Sequence, residues 1–439
     1  MTREIRKVVV LGANGAMGSG GGEVFAAASI PTAFVARDHE KAREGLDRAQ
    51  NLAKSEKIGA WVTLGTYDAD LARTVAEADL IFEALAEEMP LKKKFFAEVD
   101  RHRRPDSIVA TVSSGLSIAA MAEGRSDGFR RNFLGIHLFN PPNVIVGCEV
   151  VPHAGTDPAL VAFVVDFLER RLGRKVIVTA DLPAFCGNRV GFKVLNEVAQ
   201  LAAEHGVAFM DTLVGPHTGR AMAPLATVDL VGWDVHRAIV DNLHENTNDE
   251  AHDAFALPPY MARLMDTGHL GDKTPQKGGF YRRVRDGKKT DVYVLDPARG
   301  DYHAAHDVIA DTPDFVSRMK KLNRVGRYRD AMAVFLDAKA WEADLLRKVI
   351  LGYISYGLNR VGEVVREPRD VDRIMGFGFN WAPPCVLVDL IGAPPLVKAL
   401  ERAKLAVPAV LVRHAEGGSG ESQRMFREPH VDIGRFFVG

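Results

Sequence analysis

The chain has 439 residues, 47% of them hydrophobic, so it can bury sizeable cores, and its length predicts about three domains. Lysine and arginine number 56 against 57 aspartate and glutamate, and the formal net charge of −1 gives no indication of a nucleic acid or membrane partner. The three cysteines, Cys148, Cys186 and Cys385, form no CxxC pair, which excludes a disulfide framework or a thiolate metal site. We therefore expect no metal.

The lack of long apolar segments and the low cysteine content predict a cytoplasmic protein. The N-terminus leads from a charged segment directly into the apolar run Val8 to Leu11, which leaves no room for a signal peptide. No run of about 18 uninterrupted apolar residues is present, so no membrane span is expected. The low cysteine content fits a reducing compartment.

Short apolar runs alternate with longer amphipathic stretches in the first part of the chain. Strands that alternate with helices predict a parallel α/β sheet. We predict a Rossmann-type, doubly wound sheet over residues 1–181 as the first domain. Its predicted strands are Val8 to Leu11, Thr32 to Ala36, Leu80 to Phe82, Ile108 to Thr111 and Leu134 to His137.

A glycine-rich turn follows the first predicted strand and opens a helix of small residues. Gly12, Gly15 and Gly18 are placed where backbone amides and a helix N-terminus can bind a pyrophosphate. The GxxGxxG spacing is one residue longer than the usual fingerprint, and turns also use glycine for conformational reasons alone. Asp38, at the end of the second strand, can bind a ribose diol and favours NAD, although it would also fit a turn acid before a helix. Arg37 beside it leaves NADP open.

After Asp181 the apolar residues recur with helical spacing, which predicts an all-helical region from residue 182. Two short sequence motifs, called words below, occur twice in the same order. The first is Asn-Arg-Val-Gly, and the second is a Pro followed five residues later by Asp. They begin at Asn188 and Pro224, and again at Asn359 and Pro384. We interpret them as an internal duplication rather than a coincidence, and predict two tandem helical domains, 182–310 and 311–439.

The spacing of these words predicts further details of the helical region. Asn and Asp lie farther apart in the first copy, which predicts an insertion there around Val214 to Ala221. The stretch Asp272 to Tyr302 is rich in glycine and charge and carries a turn signal at Asp286-Gly287, which predicts an ordered excursion followed by a connecting helix. The Gly/Ser-rich tail from Glu416 to Ser422 is predicted to be mobile.

Polar residues follow the later strands, at the edge where an open parallel sheet binds its ligand. The last predicted strand carries His137, and Glu149 follows twelve residues later. Oxidation of a secondary alcohol needs a neutral base for the hydroxyl proton and a partner that fixes the tautomer of that base. His137 and Glu149 fit these roles, although a lone histidine after a strand is more often structural and a lone glutamate more often lies on the surface.

Five segments resemble the 3-hydroxyacyl-CoA dehydrogenase family and occur in the family's order over nearly the whole chain. HLFNPP is similar to the signature H-[FL]-F-N-P, SSGLSI to the serine-containing strand end, and PAFCGNRV to P-G-F-x-x-N-R. ADLIFEALAEEMPLKKKFF is similar to E-A-x-x-E-x-x-x-x-K-K, and LGDKTPQKGGFY to G-x-K-T-x-x-G-F-Y with two extra residues. The resemblance implies a Rossmann domain followed by two 6-phosphogluconate-dehydrogenase-like helical domains, as in the dehydrogenase part of multifunctional β-oxidation enzymes.

The resemblance also implies an activity, the interconversion of (S)-3-hydroxyacyl-CoA and 3-oxoacyl-CoA with NAD. His137 would be the general base, Glu149 would orient it, and Ser114 and Asn188 would hold the substrate oxygen. The cofactor-binding residues implied are Gly12, Gly15, Ala16, Met17, Gly18, Asp38, Glu87, Lys92 and Asn140, with Lys273 or Lys277 as a further lysine near the cofactor.

Some positions depart from the family pattern. Val112-Ser113-Ser114-Gly115 stands where the family has Asn-Thr before its serine pair, so either serine could act. Ala184 replaces the glycine of P-G-F, and the basic helical tail that meets CoA phosphates in the family is short. Lys54 and Lys57 are candidates for that contact, but they also fit solvated helix charges.

Two other functions stay open, a dehydrogenase of a free hydroxy acid and a non-catalytic protein that keeps the dinucleotide site. The second helical copy has no upstream histidine and glutamate, so Asn359 is expected to be structural. The two copies predict a monomer that is an internal pseudo-dimer, with a homodimer as the alternative. The expected partner is an acyl-CoA thioester.

Overall fold

The computed structural model describes residues 3–287, 289–308, 311–417 and 424–437. The chain divides into two compact units, Met1–Phe185 and Cys186–Gly439. The predicted boundary at residue 181 lies close to this division, whereas the one at residue 310 has no counterpart in it, and both stay predictions. Among the described residues, no helix is both long enough and apolar enough to cross a membrane.

The first unit contains an eight-stranded sheet with the order β3-β2-β1-β4-β5-β6-β7-β8. All neighbours pair in parallel except β6 and β7, which are antiparallel. This is the predicted doubly wound Rossmann sheet. Its strands are β1 (Val8–Leu11), β2 (Thr32–Ala36), β3 (Val62–Thr66), β4 (Leu80–Glu83), β5 (Ile108–Thr111), β6 (Phe133–Leu138), β7 (Gly147–Pro152) and β8 (Lys175–Val178).

Helices connect these strands and cover the sheet. They are α1 (Ala16–Ala27), α2 (His39–Ala53), α3 (Tyr67–Glu77), α4 (Met89–His102), α5 (Ile118–Ala122), α6 (Asp127–Arg131) and α7 (Pro158–Arg170). Alternate residues of β1 point into two different cores, Val8 and Val10 into one and Val9 and Leu11 into the other. A sheet covered on both faces explains why its central strands are uninterrupted apolar runs that the sequence reveals. The edge strand β3 is only partly buried, and the sequence analysis missed it together with β7 and β8.

The second unit is mainly helical. Its helices are α8 (Gly187–His205), α9 (Val207–Leu213), α10 (Pro224–Val231), α11 (Trp233–Asn246), α12 (Pro259–Asp266), α13 (Asp314–Arg324), α14 (Tyr328–Asp337), α15 (Trp341–Asn359), α16 (Pro368–Phe377), α17 (Pro384–Ile391), α18 (Ala393–Arg402) and α19 (Ala409–Glu416). Contrary to the all-helical prediction, it also contains an antiparallel sheet of β9 (Tyr281–Asp286), β10 (Lys289–Leu295) and β11 (Tyr302–Ala304). This sheet forms most of the predicted excursion, and the predicted turn at Asp286-Gly287 joins β9 to β10 with Gly287 at φ 57°. Most of the predicted mobile tail lies outside the described residues.

The structure supports the duplication and corrects how the copies align. Helices α8 and α15 both have 19 residues, and α10 and α17 both have 8 residues, begin at a proline and end before a glycine with φ of 95° or 93°. However, Asn188 lies at the start of α8 and Asn359 at the end of α15, so the repeated Asn-Arg words are not equivalent. The predicted insertion at residues 214–221 is therefore wrong, because the connection from α8 to α10 is shorter than that from α15 to α17.

Aspartates at matched positions repeat the same contacts in both copies. Asp211 accepts a hydrogen bond from the amide of Leu225 at 2.9 Å, and Asp372 accepts one from the amide of Cys385 at 3.0 Å, each in the first turn of the following helix. The Asp of the Pro-Asp word also binds a distant segment in each copy: Asp229 binds the amides of residues 280–281, and Asp389 those of residues 425–426. These matched contacts indicate duplication more strongly than the short words do.

The two Asn-Arg words meet in one ion-pair network. Arg189 Nη2 lies 2.7 Å from an oxygen of Asp249 and 2.7 Å from Glu363. Arg360 Nη1 lies 3.1 Å from the same oxygen of Asp249 and 2.6 Å from Glu363. Both arginine side chains are buried, so this network holds the start of α8 against the end of α15.

A buried histidine couples the stability of the helical unit to pH. His236 in α11 is fully buried, and its Nε2 lies 2.9 Å from Asn196 Oδ1. Burial lowers its pKa to about 3. In the unfolded chain the ring takes up a proton near pH 6.5, so the stability that depends on neutral His236 is complete above that pH and is lost as the pH falls toward 3.

We expect His236→Gln to reduce the acid sensitivity of the protein, because glutamine can still donate to Asn196 and does not titrate. Between pH 6 and 5 the free energy of unfolding should fall by about 1 kcal/mol less per pH unit than in the unsubstituted chain. Urea unfolding at each pH, followed by tryptophan fluorescence, measures this difference. His306→Gln, which changes an exposed ring, should leave the pH dependence as it was, and equal slopes for both variants would contradict the prediction.

Candidate active site

The glycine-rich turn after β1 is shaped by close backbone contacts. Gly12 has φ 84°, and a Cβ there would lie 2.4 Å from the carbonyl oxygen of Ala84. A Cβ on Gly18 would lie 2.1 Å from the carbonyl oxygen of Gly12. Gly15 differs, since its φ of −72° is ordinary and its nearest contact would be at 3.4 Å. It precedes Ala16 and Met17 in the first turn of α1, where backbone amides can bind an anion because no side chain caps the helix.

Asp38 ends the loop after β2, where it caps α2, and its ribose-binding role stays a prediction. One carboxylate oxygen accepts a hydrogen bond from the amide of Lys41 at 2.8 Å and caps α2. The other oxygen has no hydrogen-bond partner among the described residues, so it can still accept from a ribose hydroxyl. Arg37 beside it is exposed.

Tyr67 supports the glycine-rich turn and was missed by the sequence analysis. It is the first residue of α3, directly after the unpredicted strand β3. Burial raises the pKa of its phenol to about 12, while a hydrogen bond with the backbone of Gly12 acts in the opposite direction. Its ring packs edge-on against Phe95 at 4.8 Å. Only the presence of β3 brings this residue next to Gly12.

His137 and Glu149 form a buried pair across β6 and β7. Antiparallel pairing places them directly opposite each other, and His137 Nδ1 lies 2.6 Å from Glu149 Oε2. The rings of Phe139 and Phe185 pack beside the imidazole at 4.7 and 5.6 Å. The other ring nitrogen, Nε2, has no hydrogen-bond partner among the described residues, so it is the atom that can take a proton from a ligand.

The serine pair follows β5, the neighbour of β6. The hydroxyl of Ser113 donates to Glu87 Oε1 at 2.5 Å and accepts from the amide of Leu116 at 3.1 Å, and this side chain is buried. Ser114 is only half-buried, and its amide donates to the same oxygen of Glu87 at 2.9 Å. Ser113 uses its hydroxyl within the protein, and binding of a substrate oxygen by Ser114 stays a prediction.

The remaining predicted site residues lie in different surroundings. Lys92 is fully buried, with Nζ 2.8 Å from Glu83 and 3.3 Å from Glu87, and its contact with a cofactor stays a prediction. Asn140 is exposed just beyond β6, and Asn188 is buried at the start of α8 in the second unit.

The lysines that the resemblance suggested also have separate positions. Lys273 Nζ lies 2.7 Å from Asp234, and Lys277 donates to the carbonyl of Thr267. Lys54 and Lys57 are exposed after α2. No contact of these four lysines indicates a ligand within the described part of the chain.

Comparison with known proteins matches two family models. The model described as 3-hydroxyacyl-CoA dehydrogenase, NAD binding domain, matches residues 7–182, and the one described as 3-hydroxyacyl-CoA dehydrogenase, C-terminal domain, matches residues 185–283. A 3-hydroxybutyryl-CoA dehydrogenase of Mycobacterium tuberculosis is 31% identical over 64% of this chain and 99% of its own length. A probable 3-hydroxyacyl-CoA dehydrogenase of Bacillus subtilis is 30% identical over 95% of this chain, which spans only 55% of that relative.

A solved structure supports the fold of the whole chain. The crystal structure of 3-hydroxybutyryl-CoA dehydrogenase from Escherichia coli covers 96% of this chain and 97% of its own, with a TM-score of 0.66 and 20% sequence identity. At this identity the likeness establishes the fold alone. It extends beyond residue 283, where the second family model ends, and so includes the second helical copy.

We expect alanine at Gly18 and at Gly15 to have different effects. The Cβ of Gly18→Ala meets backbone, so the turn must shift, which should lower the thermal midpoint by about 5 °C or more and weaken NADH binding. Gly15→Ala should keep the midpoint, and any loss of NADH binding would then report close approach of the pyrophosphate. Thermal denaturation and titration of NADH fluorescence measure the two effects. An unchanged midpoint for Gly18→Ala would contradict this account of the turn.

Proposed function

Because this chain belongs to the 3-hydroxyacyl-CoA dehydrogenase family of NAD-dependent oxidoreductases, we propose that it interconverts (S)-3-hydroxyacyl-CoA and 3-oxoacyl-CoA with His137 as the general base. The observation that carries this proposal is the buried His137–Glu149 pair, with Nδ1 engaged and Nε2 left for a substrate. Fatty-acid β-oxidation or a related degradation of acyl-CoA is the proposed context.

The first unit fits the cofactor by its shape. The turn has no room for a side chain at Gly12 or Gly18, and Asp38 keeps one carboxylate oxygen for a ribose. NAD, when bound, accepts the hydride from C3 of the substrate. We propose that Gly15, Ala16, Met17 and Gly18 bind its pyrophosphate, and that Glu87, Lys92 and Asn140 lie on its nicotinamide side, as the resemblance implies.

His137 would take the proton of the 3-hydroxyl on Nε2 as the hydride leaves C3. The imidazolium that forms would then lie beside the carboxylate of Glu149, which is fully buried and 2.6 Å from Nδ1. This carboxylate fixes the neutral tautomer with the proton on Nδ1 and stabilises the charged ring, since the attraction is strong away from water. In the reverse direction, His137 would donate this proton to the 3-oxygen of a 3-oxo substrate as the hydride adds to C3.

We propose Ser114 and Asn188 as the donors to the substrate oxygen. Ser114 is proposed from the resemblance, and the hydroxyl of Ser113 binds Glu87 and the amide of Leu116 within the turn. Asn188 is proposed from the resemblance alone. Donors placed where negative charge develops on oxygen are typically worth a few kcal/mol in the transition state.

The oligomeric state and location are part of the proposal. Matched contacts in the two helical copies support a monomer that is an internal pseudo-dimer, with a homodimer as the alternative, and light scattering distinguishes them. Cys148, Cys186 and Cys385 are buried and form no disulfide, which supports a reducing compartment such as the cytoplasm.

We expect the purified protein to oxidise NADH with acetoacetyl-CoA and not with free acetoacetate. His137→Ala should lower kcat by roughly a hundredfold to ten-thousandfold, because the general base is lost. Absorbance of reduced nicotinamide measures the rate. His102→Ala, at the end of α4, should retain full activity. Turnover of acetoacetate alone would favour a free-acid dehydrogenase, and NADH binding without turnover of any acyl-CoA would favour a non-catalytic binding protein.

Glu149→Gln separates the orienting role from substrate binding. The amide has the same shape but no charge, so it cannot stabilise the imidazolium. We expect kcat to fall roughly tenfold to a thousandfold, while KM for the thioester and the Kd of NADH stay within about threefold. Steady-state kinetics and NADH fluorescence test this split. A rise in KM with unchanged kcat would show that Glu149 has no role in proton transfer.

A further inference from the structure

A fully buried ion pair lies directly behind the serine turn. The side chains of Glu83, the last residue of β4, and Lys92, in α4, are both 0% exposed. Lys92 Nζ lies 2.8 and 3.1 Å from the two carboxylate oxygens of Glu83. Removing two charges from water is costly, and apolar residues of the same size often stabilise such a site equally well. Stability alone is therefore a weak reason for charges at this place.

Glu83 is fixed on both of its oxygens. One accepts the amide of Leu85 at 2.7 Å, and the other accepts the hydroxyl of Thr111 at 2.6 Å. Thr111 is the last residue of β5, and its hydroxyl also accepts the amide of Ser113 at 3.3 Å. Glu83 therefore connects the ends of β4 and β5 and reaches the serine turn through Thr111.

Lys92 extends the connection to Glu87. Its Nζ lies 3.3 Å from Glu87 Oε2, while Glu87 Oε1 receives the hydroxyl of Ser113 and the amide of Ser114. The side chain of Glu87 is 43% exposed, so without Lys92 this carboxylate could turn toward solvent. A pair of apolar residues could fill the space of Glu83 and Lys92 but could not hold Glu87 in place.

We propose that Glu83 and Lys92 are positioning residues, which hold Glu87 and through it fix the turn Ser113–Leu116 that presents Ser114 to the substrate. The effect on catalysis rests on the proposed function, whereas the effect on the turn does not. Lys92 then acts from behind Glu87, consistent with the complete burial of its side chain. Glu83 is the first residue of the E-A-x-x-E motif, but the sequence assigned it no role.

The test uses the double variant Glu83→Gln with Lys92→Met, which removes both charges together and leaves no unpaired buried ion. Hydrogen exchange is measured on the full chain, at the amides of Ser114 and Leu116. We expect both amides to exchange at least tenfold faster than in the unsubstituted protein, because their acceptors, Glu87 and the Ser113 hydroxyl, are released. With saturating acetoacetyl-CoA and NADH, kcat should fall at least fivefold.

A matched control distinguishes the positioning role of Glu83 and Lys92 from the general effect of losing a buried ion pair. Lys193 and Glu197 form a buried ion pair of one helix, with Nζ 2.9 Å from the carboxylate. Lys193→Met with Glu197→Gln should leave exchange at Ser114 and Leu116 unchanged, whatever it does to the thermal midpoint. Ser113→Ala removes the last link of the network. Its loss of kcat should add little to that of the Glu83/Lys92 double variant, because both act through Glu87.

The outcomes test the positioning role and the proposed function separately. Exchange at Ser114 and Leu116 within threefold of the unsubstituted protein would overturn the positioning role, whether or not the enzyme is active. Faster exchange with kcat within twofold would also overturn it, since the turn would then not limit catalysis. If the unsubstituted protein has no activity with any acyl-CoA, the proposed function fails, and the exchange data still decide whether Glu83 and Lys92 hold the turn. If the double variant does not fold, Thr111→Val, which deletes the hydrogen bond to Glu83 and the one from the amide of Ser113, is tested against the same limits.

Discussion

The antiparallel pairing of β6 with β7 is the constraint on which the candidate site depends. It places Glu149 directly opposite His137 and brings a carboxylate within 2.6 Å of the ring. In a wholly parallel sheet the next strand would return through a crossover helix, and a residue twelve positions after His137 could not lie beside it. The reversal of one strand thus creates a buried acid–base pair from two residues of a short hairpin-like segment.

The rest of the site is arranged around neighbouring strand ends. The carboxyl ends of β1, β4, β5 and β6 meet at one edge because these strands are parallel neighbours. The glycine turn, the Glu83–Lys92 pair, the serine turn and His137 lie at these four ends in that order. Buried polar side chains such as Glu83, Lys92 and Thr111 hydrogen-bond to one another and hold in place the polar side chains that can face a ligand. Each buried charge has a partner at hydrogen-bond distance.

The helical unit shows how a duplicated sequence can mislead. The repeated Asn-Arg word marks opposite ends of α8 and α15, yet both arginines bind Asp249, so the likeness of the words does not reflect equivalent positions. The Pro-Asp word is equivalent in both copies, since each aspartate binds the amides of a later segment. Repeated backbone contacts are harder to produce by coincidence than four repeated letters.

The sequence alone determined the sheet class, the glycine turn and the family resemblance, because uninterrupted apolar strands, close-packed glycines and ordered motifs are local features. It could not reveal β3, the position of Tyr67 or the contacts of Glu83, because these depend on residues far apart in the chain. It left Ser113 and Ser114 undecided, and only the tertiary structure showed that Ser113 is bound by Glu87. Spacing reports which element a residue belongs to, whereas the partner of a polar side chain is set by how those elements pack.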